Sequence, residues 1–139
     1  VVNTERVLRD AAPAVRAQKK IEKEFEKRDQ EMQRLAKQLQ TMQEALEKNA
    51  VTMSESEKRN KEREFSDLNR DFQRKQREFR EDLNQRRNEE LAAVLERANK
   101  AIKSIAEAEK FDVILQEAAY VAPRVDITDK VIKAMADGK

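Results

Sequence analysis

A three-then-four spacing of apolar residues, maintained through dense charge from about Pro13 to Ala106, limits this chain to a few architectures. Ile21, Phe25, Met32, Leu35, Leu39, Met42, Leu46 and Met53 occupy alternating a and d positions of a heptad, with Arg28 and Asn49 as the exceptions. An apolar stripe this narrow, sustained over several heptads, is a coiled-coil seam rather than the broader face of a globular helix. Charge makes up 42% of the 139 residues and there is 1 glycine, so a compact core holding most of the chain is not expected. Disorder would leave the apolar residues unpatterned, and here they are periodic while 30 basic residues nearly balance 28 acidic ones. Extended helix is the reading that fits.

The rhythm lapses over Ser54-Glu55-Ser56-Glu57 and resumes at Phe65, Leu68, Phe72 and Phe79. Ser54 and Glu57 have capping-box spacing, as do Thr52 and Glu55, so a second helix is expected to begin here although the turn has no Gly or Pro. An antiparallel hairpin is favoured over one continuous rod. Folding about Glu57 sets Leu46 opposite Leu68, Met42 opposite Phe72 and Leu35 opposite Phe79, but it also sets Leu39 against Lys75 and Met32 against Asp82. Farther along, Leu91, Val94, Ala98 and Ile105 form one apolar line beside Leu95 and Ile102, a wider stripe that should touch more than one neighbour.

The flanks read as a small base. Val1-Val2-Asn3 resembles a strand end, Thr4 a helix N-cap, and Pro13 a boundary or kink. Phe111-Asp112-Val113-Ile114-Leu115 and Ala118-Ala119-Tyr120-Val121-Ala122 have strand-forming composition with a short turn between them. Pro123 ends the second, and Thr128 is positioned to cap a last helix with Val131, Ile132 and Met135 inward and Gly138 near its end. Two short strands are marginal alone and require Val1-Val2, further copies of the chain, or both. The expected fold is therefore mainly α: a long helical hairpin over residues 21–90, with its tip near 54–60, on a small α+β base of residues 1–20 and 91–139 that serves as an oligomerisation body.

Chemistry is narrowed by what the sequence lacks. Without Cys or His, thiol nucleophiles, imidazole bases and most transition-metal sites are excluded. The lone glycine cannot build a phosphate-cradling loop, so nucleotide hydrolysis is not expected, and Glu89-Glu90 reads as solvated helix charge. No cofactor and no enzymatic activity are expected. The basic clusters Arg74-Lys75 with Arg77, and Arg86-Arg87, are candidates for the phosphates of anionic lipid or nucleic acid, yet the acids interleaved with them argue against nucleic acid as a partner. No apolar run is long enough to span a bilayer, and the sequence contains no charged-then-apolar leader, although a removed export signal would leave no trace. Several such hairpins on a shared base would enclose space, and Met- and Phe-containing walls repack around varied apolar partners. Those are the properties of a holdase; a structural coiled-coil spacer is the alternative, and nucleic-acid binding a weaker one.

The order of several short motifs carries a resemblance over nearly the whole chain. The Val-Val-Asn start, the Pro13 entry to the hairpin, Arg86-Arg87-Asn88-Glu89-Glu90, Phe111 to Leu115, Ala119-Tyr120-Val121 and Asp126-Ile127-Thr128-Asp129 resemble the Skp (OmpH-like) family of periplasmic chaperones. The resemblance implies a homotrimer joined through a β-structured body, with three tentacles around a cavity. It further implies ATP-independent capture of unfolded outer-membrane proteins in the periplasm, after removal of an export signal, and association with lipopolysaccharide or the membrane surface. On this reading Val113, Ile114, Leu115, Tyr120 and Val121 join the copies. Met42, Leu46, Met53, Phe65, Leu68 and Phe72 form the hairpin seam or face the client.

Overall fold

A computed structural model describes residues 1–137; Gly138, expected near the end of the last helix, lies outside the described residues. Four α-helices follow one another: α1 (Thr4–Asp10), α2 (Ala12–Asn49), α3 (Glu55–Glu109) and α4 (Thr128–Asp137), with a 3₁₀ turn at Pro123–Val125 before the last. The chain divides into two compact units. The first comprises residues 1–23 and 85–139, the second residues 24–84.

In the second unit α2 and α3 run antiparallel. The Asn49 carbonyl accepts from the amides of Thr52 and Met53, and the Thr52 hydroxyl donates to the same oxygen at 3.1 Å. Ser54 Oγ then accepts from the Glu57 amide at 3.2 Å, the serine half of the capping box, and α3 begins. Side chains thus terminate one helix and start the next, which is why the turn requires neither glycine nor proline. The second capping-box spacing is not used in that way, because Thr52 closes α2 rather than opening α3.

The register differs from the one centred on Glu57 by a heptad. Phe79 packs edge to face on Phe25, with centroids 5.5 Å apart, and the Arg28 guanidinium lies 5.6 Å from the Phe79 centroid. Arg28, seven residues before Leu35, takes the place expected of it. The midpoint of Phe25 and Phe79 is residue 52 and that of Arg28 and Asp82 is residue 55, so the chain folds just before Glu57. Apolar heptads are degenerate under a seven-residue slip, and charge breaks the tie. In this register Asp82 meets Arg28 at 3.0 Å and Lys75 meets Glu31 at 3.0 Å, where the alternative would set them against Met32 and Leu39.

The first unit has its own core. Val2, Val7, Ala11, Ala14, Val94, Ala98, Ile127, Val131 and Met135 are buried together, with Ile102, Ile105, Ile114 and Ile132 packed against them. α1 packs on α4, and Arg6 pairs with Asp129 across that contact. Two expected caps move by one or two residues: Asn3 Oδ1 rather than Thr4 accepts the Arg6 amide, and the Asp126 carboxylate accepts the Thr128 amide. Pro13 lies in the first turn of α2, where its fixed φ suits a helix and its missing N–H costs nothing.

No strand forms among the described residues of the single chain. Residues 111–122 are irregular, and the ladder is reduced to Val2 N donating to the Leu115 carbonyl at 2.9 Å and Ile127 N donating to the Val1 carbonyl at 2.8 Å. A strand needs a neighbour along its length, and the Val1-Val2 segment is too short to be one. α3 ends in a left-handed residue, Lys110 at φ 60°, and Phe111 N closes the turn on the Ala106 carbonyl at 2.9 Å. Glycine is the residue that adopts this conformation freely. Lys110→Gly should therefore stabilise the chain by about 0.5 to 1 kcal/mol, the left-handed penalty less glycine's extra unfolded entropy. Denaturant titration at fixed protein concentration measures this.

Candidate functional site

The residues singled out by sequence fall on two surfaces, one in each unit. In the second unit Met42, Leu46, Met53, Phe65, Leu68 and Phe72 are all half-buried, whereas Phe25, Leu35 and Leu39 nearer the open end are buried. A groove of about 600 Å³ follows the seam near the turn, lined by Met42, Leu46 and Met53 with Thr41, Asn49 and Lys61 among its polar edges.

Toward the open end the seam is tied by polar contacts that sequence reasoning treated as interruptions. The Arg28 guanidinium lies over the rings of both Phe25 and Phe79, at 5.3 and 5.6 Å from their centroids, and pairs with Asp82. One cation therefore satisfies two aromatic faces and a carboxylate on the opposite arm. The signal was present in Phe25 three residues before Arg28, but Asp82 becomes its partner only when the register is known. Lys75 donates to Glu31, and this hydrogen bond holds the Glu31 carboxyl below its usual range.

Of the basic positions considered for anionic lipid, Lys75 is thus engaged across the seam, and Arg86 holds Glu89 at 2.8 Å and Glu90 at 2.9 Å. The Arg86 hydrogen bond, with Lys20 adding to it, lowers the Glu90 pKa. Arg87 is exposed beside them.

In the first unit the surface is the segment 111–122. Ile114 turns inward against the core and Val121 is half-buried, while Val113 and Tyr120 are 71% and 81% exposed and Leu115 lies between these extremes. Phe111 is also exposed, as are Leu91 and Leu95 on α3, the outer edge of the widened stripe. Alternation along Val113, Ile114 and Leu115 is that of a strand with one face on the core and one face uncovered. An open groove of about 700 Å³ lies between Val1, Val2, Asn3 and Glu5 on one side and Gln116 to Ala119 on the other.

The chemical inventory is spare. Among the described residues no group of three or more Asp or Glu side chains is arranged to hold a metal ion, and no helix is long and apolar enough to cross a membrane. The perturbed carboxyls, Asp10, Glu31, Glu90 and Asp126, are each shifted down by a hydrogen-bonding neighbour, which describes structural ion pairs and caps rather than an acid or base poised near neutrality. What the molecule offers is apolar surface of two kinds, a loosely covered seam and an uncovered irregular segment.

No curated protein matches the sequence. The profile of the family described as outer membrane protein (OmpH-like) matches residues 1–135, almost the full chain. Together with the long antiparallel helices and their heptad seam, that match establishes that the chain belongs to the OmpH-like family, the periplasmic chaperones of outer-membrane proteins.

Proposed function

We propose that the chain is an ATP-independent holdase that captures unfolded outer-membrane proteins and keeps them from aggregating. It acts as a homotrimer joined through the first unit, in the periplasm after loss of an export signal, with the helical hairpins walling a shared cavity. The observation that carries this reading is the segment 111–122. Val113 and Tyr120 face solvent in the single chain, and the backbone there has almost no hydrogen-bonded neighbour. Such a segment is stable when copies of the chain supply the missing strands, so we assign strand pairing of 111–115 and 118–122 to the assembly. The half-buried methionines and phenylalanines of the seam support adaptable apolar contact with clients. Contact with lipopolysaccharide through Lys75, Arg86 and Arg87 would require the first two to exchange carboxylates for phosphates.

Sedimentation combined with an aggregation assay tests the reading. The expected result is a three-chain mass and suppression of aggregation of an unfolded β-barrel protein without nucleotide. A stable monomer, or light scattering unchanged by a molar excess of trimer, would overturn it.

A further inference from the structure

We propose that the turn end of the hairpin, residues 41–66, opens as a cooperative unit of its own, about a fulcrum formed by Leu35 and Leu39. Three features of the second unit lead to this. The first is the placement of the ties. Arg28–Asp82 and Glu31–Lys75 cross the seam, but from residue 32 to residue 74 the ion pairs among the described residues are local to α3: Lys61–Glu64, Arg70–Asp67 and Arg74–Asp71. The second is burial along α2, which is high at Phe25, Leu35 and Leu39 and falls to partial exposure at Met42, Leu46 and Met53. The third is an open groove of about 600 Å³ along Thr41, Met42, Ala45 and Leu46, which leaves one side of Met42 and Leu46 without a packed neighbour. Side chains on an open groove have fewer packed neighbours, and so fewer dispersion contacts, to oppose separation of the arms.

Register fixes where the boundary falls. Counting on from Arg28 and back from Phe79 brings Leu39 opposite Leu68 and, one step later, Met42 opposite Phe65. Leu39 is therefore the last well-covered residue before the groove. Beyond it, each arm has about a dozen residues or fewer, too short to stay helical in isolation. Loss of the seam there melts both arm ends together, and the stretch behaves as one unit of low local stability. Opening uncovers Met42, Leu46, Met53 and Phe65 at once and leaves the Arg28 cluster closed.

Native-state hydrogen exchange on the full chain tests this without a client. Amides of 42–49 and 55–65 should exchange about 100-fold faster than those of 24–35 and 75–84, with a common response to low denaturant that marks one opening event. Thr41→Leu places an apolar side chain in the groove and removes a hydroxyl that bonds back to the Lys37 carbonyl at 3.0 Å. It should slow exchange of the turn end about 5- to 10-fold and leave 24–35 unchanged. Uniform exchange along both arms, or a Thr41→Leu effect that is absent or shared by 24–35, overturns the proposal.

Discussion

Val113→Asp should yield a folded chain that no longer assembles. The side chain is 71% exposed in the single chain and makes no part of the buried cluster of the first unit, so a carboxylate there meets water and leaves the core intact. In an assembly that covers Val113 the same carboxylate is buried without a partner, at a cost of several kcal/mol per copy. Since about 1.4 kcal/mol is tenfold in an equilibrium constant, trimer should be lost at micromolar concentration. Ile114→Asp is the contrasting variant. Ile114 packs against the core of its own chain, so this substitution should reduce helical signal and thermal stability as well as assembly. Sedimentation and far-UV circular dichroism separate the two. A Val113→Asp chain that keeps its three-chain mass would show that the extended segment is not the joining surface.

The contrast between these neighbours also shows what the sequence could carry. Apolar spacing identified the helices, and Ser54 the start of α3, because both are local signals that need no partner. Strand composition predicted two strands over residues 111–122 where the single chain is irregular, because a strand is a relation between segments, and one copy provides only the short Val1-Val2 stretch as neighbour. The register of the hairpin was hidden for a related reason. Each arm repeats by seven, so sliding one past the other preserves most apolar contacts, and only the pairing of Arg28 with Asp82 and Glu31 with Lys75 distinguishes the observed alignment. Arg28 looked like a flaw in the seam. It is a polar residue at a d position of the seam, and its ion pair with Asp82 is what distinguishes the observed register. The groove near Met42 was not legible at all, since its shape depends on how the side chains of the two arms pack.

Thr128→Val should destabilise the first unit by about 1 to 3 kcal/mol even though it changes neither volume nor branching. Thr128 is 0% exposed and lies where the start of the chain meets α4. Its hydroxyl oxygen accepts the Asn3 amide at 3.0 Å, and its proton goes to the Asp126 carboxylate, which also accepts the Thr128 amide. Valine fills the same space and removes the acceptor for the Asn3 N–H, so the loss is polar rather than a cavity. Thr128→Ser keeps both hydrogen bonds and gives up one methyl group, which should cost about 0.8 kcal/mol. A valine variant no less stable than the serine variant would mean that the hydroxyl has little role. The pH dependence supplies an independent check. Hydrogen bonds from the Thr128 hydroxyl and amide hold the Asp126 pKa below its ordinary value, so their contribution is complete above the unfolded carboxyl's pKa and is lost as pH falls through the lower folded one. With an unfolded aspartate near pKa ~3.9, the gap between wild type and Thr128→Val should be full at neutral pH and should narrow below that value as Asp126 protonates. Denaturant titrations at the two pH values, run at one protein concentration, measure it, and a gap independent of pH would place the effect in the Asn3 hydrogen bond alone.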